Sequence, residues 1–127
     1  MGKIILSIIL TLAIIYTVPF VVYSIAAVAV GLEPPQGESA SQFLIGVFVS
    51  KAGTAIAFVL IFYFARASLG GQWFLYALLW WLMFVIGEVG QAIAPDYSWT
   101  EAVGGIVSET VYLPLAAFVT NRMLTVK

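Results

Sequence analysis

Gly104-Gly105-Ile106-Val107-Ser108-Glu109-Thr110-Val111-Tyr112-Leu113-Pro114 is the stretch that decides how this chain is read. It lies inside an apolar run, about 100–120, and a helix needs about 20 such residues to cross a bilayer. Yet it carries a carboxylate, two hydroxyls, a phenol, two glycines and a proline. A charge at the centre of a lipid-embedded helix costs roughly 2.5–3.5 kcal/mol or more, so Glu109 needs company. The remaining sequence reads as the scaffold that supplies it.

Composition agrees with lipid as the main solvent. The 127 residues are 63% hydrophobic and 9% charged, with a mean hydropathy of +1.10. Soluble domains carry roughly 25% charged residues, and a soluble fold with so few would expose large apolar patches. A net charge of −1 leaves no basic patch for nucleic acid. Cysteine and histidine are both missing from the sequence. Disulfides, thiol chemistry, imidazole-held haem and the usual zinc sites are therefore excluded, and neither a cofactor nor a resident metal is expected.

Working outward, the hydrophobic runs predict four spans. The first covers about 4–30. It is too long for a signal h-region of 7–15 residues, and Pro19 inside it should release the carbonyl of Ile15. Residues 31–38 form a loop rich in Pro, Gly and charge. Ser39 and Gln42 have the spacing of a capping box opening a second span, about 42–65, which contains Lys51. Gly46, Ser50 and Thr54 recur on one face of it, a pattern suited to close helix approach. A turn at 66–72 offers Gly70 or Gly71 as a left-handed helix cap. The third span runs over about 73–94, holds Glu88 and Gln91, and is stopped by Pro95. Ser98 and Glu101 form a second capping box before the fourth span at about 100–120. Trp73, Tyr76, Tyr97 and Trp99 are placed to form interfacial belts; Trp80 and Trp81 lie too deep for that role. The expected fold is all-α: an integral membrane, antiparallel four-helix bundle with short loops, in one domain.

Charge sets the expected orientation. Lys3, Arg66, Arg122 and Lys127 fall at the N-terminus, the second loop and the C-terminus, which four spans put on one side. Glu33, Glu38, Asp96 and Glu101 fall in the other two loops. By the positive-inside rule both termini are cytoplasmic.

Three ionisable residues remain within the spans. At 1.5 Å per residue, Lys51 and Glu109 each lie on the order of 12 Å below the outer ends of their helices, and Glu88 about 9 Å below its own. Three helices thus place their buried charges at one level, where opposite charges offset part of the cost of leaving water. Gln91 lies one turn from Glu88, Tyr112 one turn from Glu109, and Ser108 is close in level. One lysine facing two glutamates leaves an unbalanced charge, which calls for a proton or a bound cation. Pro114 leaves the carbonyl of Thr110 without its helical donor, adding an acceptor.

Three readings of Lys51, Glu88, Gln91, Ser108, Glu109 and Tyr112 stay open at this point. They form a site for a proton, ion or small solute; or a structural ion pair fixing helix register; or a contact with another chain. The corresponding functions are proton or cationic-solute movement or sensing, as a homo-oligomer, and a non-catalytic subunit or assembly factor of a larger membrane complex. An enzyme would have only Glu88 and Glu109 for acid–base work. There is no G-x-S-x-G nucleophile motif, no phosphate loop and no Glu-x-x-His pair for di-iron. The sequence thus points away from an enzyme, with a lipid-modifying one as the remaining form.

Overall fold

The computed structural model describes residues 1–31, 40–94 and 98–125. Among these the chain is all-α, with helices α1 (Gly2–Val30), α2 (Ala40–Leu69), α3 (Trp73–Ile93) and α4 (Trp99–Thr125). Each is long and apolar enough to cross a membrane. The 21 residues of α3 rise about 32 Å, close to a hydrocarbon core of about 30 Å. α1, α2 and α4 are longer than the hydrophobic runs alone predict, because polar flanking residues continue the helical hydrogen bonding beyond the apolar stretch.

Local chemistry accounts for the helix ends. Ser98 and Glu101 cap α4 reciprocally: the Glu101 N–H donates to Ser98 Oγ at 3.1 Å, and the Ser98 N–H to Glu101 Oε1 at 3.3 Å. The connection between α2 and α3 shrinks to three residues, since α2 runs on to Leu69. Gly70 and Gly71 both take positive φ, 57° and 84°, which a side chain would resist. The expected Ser39 cap, the loop at 32–38, the stop at Pro95 and the belt position of Tyr97 lie outside the described residues. Both interior prolines, Pro19 and Pro114, sit within continuous helices.

Helix α4 is the centre of the packing. It lies along α1 and α3 and touches α2, while α1 also packs on α2 and makes no close contact with α3 among the described residues. Half of the most apolar stretch of α4 is buried, against 17% or less in each other helix. The core joins Ile15 of α1, Phe58 and Phe62 of α2, Tyr76 of α3 and Leu113, Ala116 and Ala117 of α4. Edge-on aromatic packing ties α2 to α3, with ring centroids 4.9 Å apart for Phe58–Tyr76 and 5.1 Å for Phe62–Tyr76. Tyr76, expected at an interface belt, is instead buried, and its hydroxyl donates to the Phe58 carbonyl. The deep tryptophans also have partners: the Trp81 indole N–H donates to the Thr110 hydroxyl at 2.9 Å, and Trp80 packs edge-on against Phe84 and at a tilt against Phe58.

Candidate functional site

The polar cluster forms where α3 meets Gly105 of α4. A Cβ added at Gly105 would fall 2.5 Å from both Cδ and Oε1 of Glu88, and 2.6 Å from Oε2. The Glu88 carboxyl therefore rests directly on the backbone of α4, in space that any side chain at position 105 would fill. One turn along the same face, Glu109 is 5% exposed. Its carboxyl lies within hydrogen-bonding reach of Glu88, and its Oε1 meets no donor among the described residues. Two carboxyl groups attract each other only through a proton, or a cation in its place, held between them.

Two further helices close on this pair. From α2, Lys51 Nζ reaches the Tyr112 hydroxyl at 3.4 Å and lies 5.0 Å from the centroid of that ring. Both carboxyls, Glu109 before Glu88, are near enough to act electrostatically on the Lys51 ammonium. From α1, the Tyr23 hydroxyl donates to the Glu101 carbonyl at 2.9 Å. Its ring packs on Gly104, where an added Cβ would stand 3.0 Å from Tyr23 Cε1. Tyr23 is close enough to feel both carboxyls as well. Each of the four helices thus contributes a side chain, and both glycines of α4 serve as contact surfaces for one of them.

Of the six residues expected from sequence, Lys51, Glu88, Glu109 and Tyr112 come together here. Ser108 is buried on the same face, with its hydroxyl turned back to the Gly104 carbonyl at 2.9 Å. Gln91 is exposed on α3. Tyr23, Gly104 and Gly105 join the cluster without having been picked out. The sequence did hold a signal for the glycines: Gly104 and Gly105 stand four residues before Ser108 and Glu109, on the same helical face, where close approach to a polar group demands a missing side chain. Tyr23 had no such signal, being one phenol in a long apolar run.

Among the described residues no group of three or more His, Cys, Asp or Glu side chains assembles, so a cation here would rely on the two carboxyls and nearby neutral oxygens. Pro114 leaves the Thr110 carbonyl one turn earlier without its helical donor, but Thr110 itself is exposed.

Comparison with known proteins gives no family. No protein-family description, curated protein or solved structure matches the chain.

Proposed function

We propose that this is an integral membrane protein whose four helices form an antiparallel bundle, both termini cytoplasmic, and which moves or senses a proton or a small cationic solute at Glu88 and Glu109. The observation carrying this reading is the carboxyl-to-carboxyl approach in the Gly105 seat, with a buried Glu109 oxygen that meets no donor. A purely structural ion pair needs one carboxylate for Lys51. A second carboxyl pressed against the first adds repulsion unless a proton or cation resides there. Lys51 offsets one negative charge; the exchangeable cation offsets the other. Antiparallel packing is supported by two contacts: Tyr23 near the end of α1 reaches Glu101 near the start of α4, and Thr11 early in α1 bonds Thr120 late in α4 at 3.3 Å.

The test is reconstitution into liposomes containing a pH-sensitive dye, with an imposed membrane potential. The wild type should carry protons or exchange them for a cation. Glu88→Gln and Glu109→Gln keep shape and hydrogen-bonding capacity, and should abolish the flux while helicity stays near wild type. Wild-type flux in both variants would sink the proposal.

A second reading, a subunit in a homo-oligomer or larger membrane complex, is favoured by α2. Gly46 and Ser50 are exposed, and nothing stands within 4 Å of a Cβ added at Gly46 or Gly53. A small, open surface of this kind lets another helix approach closely. Purification in mild detergent separates the two readings, since a stoichiometric foreign partner supports the subunit.

A further inference from the structure

We propose that Tyr23 is the outer gate of the carboxyl pair. This rests on the reading of Glu88 and Glu109 as a site that exchanges a cation with one side of the membrane. Going down α4 from its capped end come Glu101, then Gly104, then Gly105, then Glu109. Tyr23 lies across the first two of these. Its hydroxyl is tied to the Glu101 carbonyl at 2.9 Å, and its ring occupies the hollow left by Gly104. Below it the Glu88 carboxyl fills the hollow left by Gly105, and Glu109 is buried. Tyr23 itself is half-buried, and both carboxyls lie near enough to act on it electrostatically.

The fastening is of a kind that can open. It consists of one hydrogen bond to a backbone carbonyl and one ring laid on a glycine, with no second side chain locking the phenol among these contacts. Rotation of the ring away from Gly104 breaks a single neutral hydrogen bond and uncovers the hollow at that glycine. The Ser98–Glu101 capping box holds the receiving carbonyl in place, so the phenol moves and its anchor does not. Tyr23 positions the barrier and takes no part in holding the cation.

The natural chain has no cysteine, so a single introduced thiol reports access without background. Ser108→Cys places that thiol on the buried face next to Glu109. The probe is Ag⁺, an ion near the size of a water molecule, added to the outer side of oriented vesicles. In the Ser108→Cys protein the reaction should be slow. Adding Tyr23→Ala should speed it at least tenfold, and Tyr23→Phe, which keeps the ring and loses the tether, should fall between. A thiol at the remote buried site, Thr120→Cys, should react at the same rate with or without Tyr23→Ala. Equal rates at position 108 with and without Tyr23→Ala overturn the gate. So does a matching acceleration at position 120, which would mean general loosening. If the rates diverge as expected while the Gln variants keep wild-type flux, the gate stands and the transport reading falls; equal rates with abolished flux give the reverse.

Discussion

Replacing Gly105 by Ala tests the site where it is most tightly built. The new methyl carbon would stand 2.5 Å from Cδ and Oε1 of Glu88. Unstrained contacts between carbon atoms lie at about 3.5–4.0 Å, so the carboxyl must withdraw by roughly 1 Å. Two opposing terms set the effect on stability. Overpacking costs about 1–3 kcal/mol, and exchanging Gly for Ala inside a helix returns up to about 1 kcal/mol. Glu88 is half-buried on a flexible stem, so the strain falls at the low end and the net change is within about 1–2 kcal/mol. Function has no such compensation. A displacement of ~1 Å in an aligned group can cost on the order of 100-fold, and proton flux in liposomes should drop at least tenfold while the protein stays folded. Combining Gly105→Ala with Glu88→Asp, one methylene shorter, draws the carboxyl back from the new methyl and should restore part of the flux. Gly53→Ala is the control: nothing lies within 4 Å of its added carbon, so stability should rise slightly and flux stay unchanged. Full flux in Gly105→Ala would show that the seat of Glu88 has no bearing on activity.

Three other substitutions probe separate parts of the structure. Lys51→Met removes the cation facing the pair; with Lys51 half-buried, the loss should be about 1–3 kcal/mol by thermal unfolding in detergent, less than the 3–5 kcal/mol of a fully buried pair. Adding Glu109→Gln should recover part of that loss, and strict additivity of the two changes would refute a direct interaction. Ser98→Ala removes the reciprocal cap of α4 and should lower stability by about 1 kcal/mol in the same unfolding assay. Tyr76→Phe keeps the ring packing against Phe58 and Phe62 but deletes the hydroxyl bonded to the Phe58 carbonyl, and should cost about 1 kcal/mol in the same unfolding assay.

The parts of this molecule that were legible in sequence are those governed by local chemistry or by solvent. Four hydrophobic runs gave four helices, because backbone polar groups in an apolar medium have few other ways to be satisfied. The Ser98–Glu101 box worked as its spacing promised, since a cap uses only neighbours in the chain. Helix rotation was harder to read. Gln91 and Glu88 stand three residues apart, near enough to share a face, yet Gln91 is exposed and Glu88 is seated on Gly105. Helices this uniformly apolar carry little contrast to say which side faces inward. Tyr76 shows the same limit: at a helix end its amphipathic ring suits a belt, and the aromatic pocket of Phe58 and Phe62 that buries it comes from another helix.

The order of helices around α4 follows from the same solvent logic. In water the most apolar element goes inside; in lipid the preference turns over, and the element with most polar atoms has most to lose from facing out. α4 carries Ser108, Glu109, Tyr112 and Thr120 on one continuous buried face. α1 turns its Ser7 and Thr11 toward the interior and leaves residues such as Ile5, Ile9 and Ile25 exposed. A helix placed centrally to shelter its polar face is also the helix that every neighbour touches or approaches. Glu88 of α3 thus comes within hydrogen-bonding reach of Glu109 on α4, and Lys51 of α2 and Tyr23 of α1 lie near enough to feel its charge. The burial that makes Glu109 costly to hold is also what gathers these groups around it.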